Sequence, residues 1–531
     1  MRSLVALVGM TMVLAFALPE ATEAAPLVEV KKLLASDARA NDQFGYSVAI
    51  SGDTAVVGSF DDGSGAAYVF QRGKGGADDW REVKRLTASN AEAGDNFGIS
   101  VAVSGDTAVV GASGEDARGI GAGAAYVFQR NRGGADNWGE VKKLVASDAQ
   151  AFDEFGISVA VSGDTVVVGA SGEDARGIGA GAAYVFRRNE GGAGNWGQVK
   201  KLTASNAQAF DEFGISVAVG DSTAVVGARG EDAGGSSAGA AYVFERAQGG
   251  ADNWGQAKKL VASDAQAFDE FGVSVAVSGD TAVVGAWLED GGGTLSGAAY
   301  VFQRSEGGVA NWGQVRKLAA SDAPAFDEFG ISVAVSGDTA VVGAYLADAG
   351  GTFGGAAYVF QRDEGGADNW GEVSKLSATD IQNFDRFGFS VAVSSQTVVV
   401  GAFGEDARGS EAGAAYVFEL LGAGSTPTST LSDTPTPAGT LSDTPTPTAT
   451  HTPFPSLTPI ASATPEVSTG DVNCDGTVNA VDAALILFKV ALLGSLPCPE
   501  GADVNDDGVT NSLDAALILQ FVAGLIDSLS P

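Results

Sequence analysis

Residues 155–170 read Phe155-Gly156-Ile157-Ser158-Val159-Ala160-Val161-Ser162-Gly163-Asp164-Thr165-Val166-Val167-Val168-Gly169-Ala170. Two runs rich in β-branched residues, Ile157–Val161 and Val166–Ala170, flank the turn Ser162-Gly163-Asp164. This is the pattern of a tight antiparallel hairpin. Two more strand-like runs follow, Ala182–Phe186 and Gln198–Leu202. The unit then returns. Phe-Gly occurs at Phe44, Phe97, Phe155, Phe213, Phe271, Phe329 and Phe387, spaced by 53 residues once and by 58 five times. Tyr-Val-Phe keeps the same beat, from Tyr68-Val69-Phe70 to Tyr416-Val417-Phe418. Four strands per unit, here called A to D, in seven units predict an all-β seven-bladed propeller. A long β-solenoid is the alternative.

The ends of the array separate the two. Val28-Glu29-Val30-Lys31-Lys32-Leu33 matches a strand D, as in Val141-Lys142-Lys143-Leu144, yet no blade precedes it. The last unit stops after Ala415-Tyr416-Val417-Phe418, a strand C. Joining the orphan strand to the incomplete blade closes a ring and removes two sheet edges. A solenoid gains nothing from the offset. Phe-Gly-x-Ser followed by Val-Val-Gly-Ala (Val-Val-Gly-Ser in the first unit), in seven copies over roughly residues 28–421, resembles the FG-GAP repeat of integrin-α-like propellers. Many members of that family carry an Asp-x-Asp-x-Asp-Gly calcium loop between strands A and B. Here a tight turn such as Ser104-Gly105-Asp106-Thr107 stands in its place, so those calcium sites do not carry over.

Composition narrows the functional classes. Among 531 residues, 66 are acidic and 31 basic, a net charge of −35. That balance argues against nucleic acid and against an anionic membrane surface. The single histidine, His451, removes most catalytic triads and histidine metal sites. A glycosidase needs only two carboxylates, so a carbohydrate-active enzyme stays open as the alternative to a binding module. The N-terminus reads as a signal peptide, residues 1–24, with Arg2, an apolar run Leu4–Leu18 and cleavage after Ala24. No other run is long and apolar enough to span a membrane. Ala480–Leu493 comes nearest and is interrupted by Asp482 and Lys489. A secreted or extracellular location follows as an expectation.

Within the propeller, expected over residues 25–421, the B–C and D–A loops share one face. They are acidic, as in Ser171-Gly172-Glu173-Asp174 and in Asp148, Asp153 and Glu154. Such loops read either as a solvated face or as oxygen ligands for a hard cation. Repeat-breaking positions carry more information, because identical blades cannot build a specific site. The residue after strand B is Phe60, Ser113, Ser171, Arg229, Trp287, Tyr345 and Phe403 in turn. Ring closure makes Trp287, Tyr345, Phe403 and Phe60 consecutive, an aromatic arc that reads either as a surface binding a carbohydrate or an extracellular protein or as rings each tucked under its own loop. The tryptophans Trp80, Trp138, Trp196, Trp254, Trp312 and Trp370 hold one equivalent position before strand D and read as inter-blade packing.

Residues 422–469 hold nine of the 15 prolines and repeat Leu-Ser-Asp-Thr-Pro-Thr-Pro at Leu431 and Leu441. This composition reads as an extended Thr/Ser/Pro linker. Residues 470–531 then carry two 12-residue calcium-loop patterns. The first places Asp471, Asn473, Asp475, Asn479 and Asp482 at positions 1, 3, 5, 9 and 12, with the Thr477 carbonyl at position 7 and Gly476 at the turn. The second uses Asp503, Asn505, Asp507, Asn511 and Asp514, with the Val509 carbonyl and Gly508. Each precedes Asp-Ala-Ala-Leu-Ile-Leu, a helical pattern. The pair resembles a type I dockerin with EF-hand-like loops. The resemblance implies two bound Ca²⁺ ions and a cohesin-type partner. Cys474 and Cys498 either pair as a disulfide or remain free thiols.

Overall fold

The computed structural model describes residues 27–74, 79–250, 253–308, 311–322 and 325–420, together with Ile518. The chain divides into two units at Thr430/Leu431, and all described residues but Ile518 belong to the first. That unit is a seven-bladed propeller. It contains seven four-stranded antiparallel sheets, each in the order A-B-C-D. In blade 3 these strands are Val159–Ser162, Thr165–Ala170, Ala182–Arg188 and Trp196–Leu202. Strand A of blade 3 starts two residues later than the sequence pattern indicates, and the Ile157 N–H closes a turn on the Glu154 carbonyl there. Strand D begins earlier, at Trp196.

Burial follows position in the blade. Strand B is buried along its whole length, as at Thr165–Ala170, because neighbouring blades cover both of its faces. Its sequence is therefore continuously apolar rather than alternating. Strands A pack on strands A of the adjacent blades around the axis, and strands D form the outer rim. Seven hydrophobic clusters fill the spaces between blades. One joins Val109, Val127 and Leu144 of blade 2 to Phe155, Val168, Tyr184 and Trp196 of blade 3.

The ring closes as the offset ends require. Leu27–Leu33 pairs antiparallel with Ala414–Leu420, in register from Leu27↔Leu420 to Leu33↔Ala415. It skips Val30 opposite Val417 and Phe418, the same bulge that leaves Val199 unpaired in blade 3. The first strand thus copies the irregularity of an internal strand D. A second closure runs round the axis. The serine of Phe-Gly-x-Ser donates its hydroxyl to the carbonyl of the next blade's Phe-Gly glycine: Ser47 to Gly98, Ser158 to Gly214, and finally Ser390 back to Gly45, at 2.7–2.8 Å. The glycine has φ near +98° at Gly214, and a Cβ there would lie 2.2 Å from the Ala182 carbonyl oxygen. The Val-Val-Gly glycine faces it, since a Cβ on Gly169 would lie 1.9 Å from the Gly214 oxygen. The two glycine motifs are the two sides of one inter-blade contact. Among the described residues no helix is long and apolar enough to cross a membrane.

Candidate functional site: the aromatic rim

The B–C and D–A loops place three residues of each blade around the mouth of the axis. One precedes Phe-Gly, one follows it, and one follows strand B. The preceding residue is left-handed in every blade, for example Glu154 at φ 56° and Arg386 at φ 56°. In blades 3 to 6 it is a glutamate that serves the residue after strand B. Ser171 donates to Glu154 (2.9 Å), Arg229 to Glu212 (2.6 Å) and the Trp287 indole N–H to Glu270 (2.9 Å). In blade 6 the Tyr345 hydroxyl bonds Glu328. Burial pushes the Glu328 carboxyl up to about 7, with the Tyr345 bond acting against it.

Blade 7 reverses the charge. Arg386 takes the glutamate's place, and its guanidinium lies 4.8 Å from the centre of the Phe403 ring. Beside it the residues after Phe-Gly, aliphatic in blades 2 to 6, are Tyr46 and Phe389. They join the positions after strand B into one aromatic group. Ring centres lie 4.5 Å apart for Tyr46–Phe60, 4.7 Å for Tyr46–Phe389, 4.7 Å for Phe389–Phe403 and 5.4 Å for Tyr345–Phe389. A hollow of about 430 Å³ opens here, lined by Tyr46, Tyr345, Leu346, Phe353, Phe384, Arg386, Phe389 and Phe403.

Three members of the expected arc, Phe60, Tyr345 and Phe403, therefore meet through two rings that sequence reasoning missed. Trp287 is turned to Glu270. The missing signal was present: the residue after Phe-Gly is Tyr or Phe only in blades 1 and 7. Its place beside the arc emerges only when the blades stand side by side.

The acidic loops have partners of their own. The B–C glutamates are nearly buried and paired with the second lysine of strand D: Glu173 with Lys201 (2.7 Å), Glu289 with Lys317 (2.7 Å), Glu405 with Lys32 (2.7 Å), and Glu115 with Lys143. Lys201 and Lys317 also bind Asp148 and Asp264 of the D–A loops, each at 2.7 Å. The lysine pair is thus tied into the blade rather than forming a solvated edge, since Lys142 reaches Asn195 of the next blade (3.0 Å). Asp153 accepts the Gln150 N–H at 2.7 Å, a turn bond that recurs in most blades. Among the described residues no group of three or more acidic, histidine or cysteine side chains is placed to hold a metal.

The FG-GAP repeat model matches residues 27–70, 80–128, 138–186, 196–244, 254–302, 312–360 and 370–418, one match per blade. The chain belongs to the FG-GAP repeat family. In this FG-GAP propeller, the Phe-Gly, Phe-Gly-x-Ser and Val-Val-Gly elements are the inter-blade contacts described above. A type I dockerin domain matches residues 469–523. No characterised protein matches the chain as a relative. The calcium-loop positions from Asp471 to Asp482 and from Asp503 to Asp514, with Cys474 and Cys498, lie outside the described residues.

Proposed function

We propose that this protein is a secreted binding component of an extracellular assembly. Its FG-GAP propeller holds a carbohydrate or protein ligand in the aromatic hollow, and its dockerin domain docks a cohesin-type partner. The observation that carries the reading is the break in the repeat. Two blades put aromatic rings after Phe-Gly, three put them after strand B at the same place, and one exchanges glutamate for Arg386 there. Identical blades need none of this to fold. A hollow of about 430 Å³ lies in the size range of small-ligand sites, and tilted and edge-to-face rings beside one cation suit a ring-shaped or apolar group with a polar edge.

Type I dockerins generally bind calcium, and the donor set here fits that ion. Each loop offers three Asp, two Asn and a backbone carbonyl, with glycine at position 6. Three carboxylates within one 12-residue loop repel one another when drawn together, so a bound ion's charge would offset that repulsion and couple binding to folding. The domain layout supporting this reading is 1–24 signal peptide, 25–421 propeller, 422–469 linker and 470–531 dockerin.

The test uses the full chain on a panel of polysaccharides and extracellular matrix proteins, with Ca²⁺ and with EDTA, and assays released sugar. Retention without release, reduced tenfold or more by Tyr345→Ala or Phe389→Ala and insensitive to EDTA, supports the hollow. EDTA should abolish capture by an immobilised cohesin while leaving propeller retention intact. The catalytic reading is favoured by one observation. Glu328 beside the hollow residue Tyr345 carries a carboxyl that burial pushes up to about 7, as a general acid requires. Released oligosaccharide that disappears in Glu328→Gln would establish an enzyme instead.

A further inference from the structure

Five consecutive blades expose a phenylalanine on the loop face, in the sequence Phe-Asp-Glu-Phe-Gly or, in blade 7, Phe-Asp-Arg-Phe-Gly. Phe152, Phe210, Phe268, Phe326 and Phe384 are 65, 65, 62, 40 and 53% exposed. All five lie in the left-handed region, with φ between 67° and 72°. A bulky aromatic residue pays for that conformation in strain. Here it also leaves its ring in water.

The backbone does not require phenylalanine. Each Phe N–H donates to a carbonyl of the preceding blade's B–C loop, Phe152 to Ile120 and Phe210 to Ile178, both at 2.8 Å. In blade 1 the equivalent residue is Asn41, at φ 66°, and it makes the same bond to Ser410 at 2.8 Å. In blade 2 it is Gly94, at φ 88°. Asparagine and glycine are the residues suited to this conformation. Blades 3 to 7 place there the residue that suits it least and that water disfavours. Ile120 and Ile178, each 66% exposed, lie beside the first two rings and extend the apolar crescent.

The charge around the crescent selects its occupant. In blades 4 to 6 the described residues of the face are 204–214, 229–239, 262–272, 287–297, 320–322, 325–330 and 345–355. The one basic residue in them is Arg229, ion-paired with Glu212 at 2.6 Å, while Arg118 and Arg176 stand on the loops that receive Phe152 and Phe210, and Arg386 stands near Phe384. Asp232, Asp290 and Asp348 are exposed carboxylates on the same loops. A second copy would bring acid onto acid, and an anionic lipid surface would be repelled. Exposed aromatic faces among carboxylates attract ammonium and guanidinium groups as well as apolar side chains.

We propose that the phenylalanine crescent docks a polypeptide that presents lysine or arginine interspersed with apolar side chains. The crescent meets the aromatic hollow at Phe384, so the variants are placed in blades 4 and 5, where they leave the hollow's residues untouched. The test measures binding of three fluorescent 12-residue peptides to the full chain at physiological salt: alternating Lys-Leu, alternating Lys-Gly and alternating Glu-Leu. The Lys-Leu peptide should bind, the other two at least tenfold more weakly. Phe210→Asn with Phe268→Asn should cost tenfold or more, with a melting temperature equal to or above the parent's. Asp232→Asn with Asp290→Asn keeps the side-chain oxygens that accept the Ser237 and Leu295 N–H groups. It should weaken Lys-Leu binding at least threefold and flatten its salt dependence. No binding of the Lys-Leu peptide, equal binding of Lys-Gly, or full binding by the phenylalanine variant would overturn the proposal. So would a lowered melting temperature of that variant, which would make the rings structural. Loss of a dimer in sedimentation, or loss of retention on phosphatidylcholine vesicles, on the same substitutions would assign the crescent to a second copy or to lipid and equally overturn it.

Discussion

Gly214 and Gly163 both have positive φ, but they differ in what surrounds them. A Cβ on Gly214 would sit 2.2 Å from a backbone oxygen of the neighbouring blade, whereas a Cβ on Gly163 meets nothing within 4 Å. Gly163→Ala should therefore cost only the left-handed conformation, about 1 kcal/mol. Gly214→Ala must also push two blades apart and should cost roughly 3 kcal/mol or more, by analogy with overpacked cores; urea melts of the pair check the contrast. Asp327 is a second residue whose neighbours decide its behaviour. Its counterparts accept an N–H from the residue three positions earlier, as Asp153 does from Gln150. In blade 6 that earlier residue is Pro324, which has no N–H, and Asp327 Oδ2 is buried without a partner among the described residues. Burial holds the carboxyl near 7, above its unfolded value of about 3.9. The fold thus favours the protonated form. Stability from this group is full below about pH 4 and is lost as the pH rises towards 7. Asp327→Asn carries no charge at any pH, so it should raise stability at pH 8 by on the order of 2–4 kcal/mol, a gain that vanishes below pH 4. A pH series of denaturant melts would show an unchanged difference if the prediction is wrong.

Each blade is held to the next by a short set of repeated contacts, of which the serine-to-glycine bond is the most regular. Ser158→Ala removes one such bond and leaves the Gly214 carbonyl short of a partner. It should cost about 1 kcal/mol. Ser332→Ala, on a distant blade boundary, should add its own cost independently in a double variant. This part of the architecture was legible in the sequence, since the spacing of Phe-Gly-x-Ser and Val-Val-Gly already marks the blade boundaries. The aromatic rim was only half legible. Variation after strand B pointed to Phe60, Tyr345 and Phe403. Tyr46 and Phe389 belong to a different motif position, and only the approach of neighbouring strands A brings the two positions together. The ion pairs of the B–C glutamates were hidden for a similar reason. Glu173 and Lys201 are 28 residues apart in the chain, yet they meet across one blade. The exposed phenylalanines were hidden by their regularity, because a residue present in five blades looks structural until its exposure and its φ are known.

For the whole molecule, the strand Leu27–Leu33 completes blade 7 and buries Leu33 at the junction with blade 1. Its Lys32 pairs with Glu405 and Asp380, and its Glu29 accepts the Thr379 N–H at 2.8 Å. Removing residues 25–33 should lower the melting temperature by roughly 10 °C or more, since several kcal/mol of contact are lost. It should also expose the edge of Ala414–Leu420 and promote self-association, which light scattering would detect. A synthetic peptide of residues 25–33, added in excess, should restore part of the stability.

The closing strand also sets an order of events in time. Leu27–Leu33 is among the first segments of the propeller to be synthesised, and Ala414–Leu420, which receives it, is the last strand of that propeller. About 380 residues separate them, a wait of roughly 20–80 s at ordinary rates of translation. Throughout that interval the first strand travels without a partner, and the seat it will occupy does not yet exist. Once formed, the seat accepts any copy of Leu27–Leu33, including one from a neighbouring chain. Correct closure is therefore a race between a strand already tethered nearby and strands supplied by other chains, and crowding during synthesis determines how often the tethered strand loses.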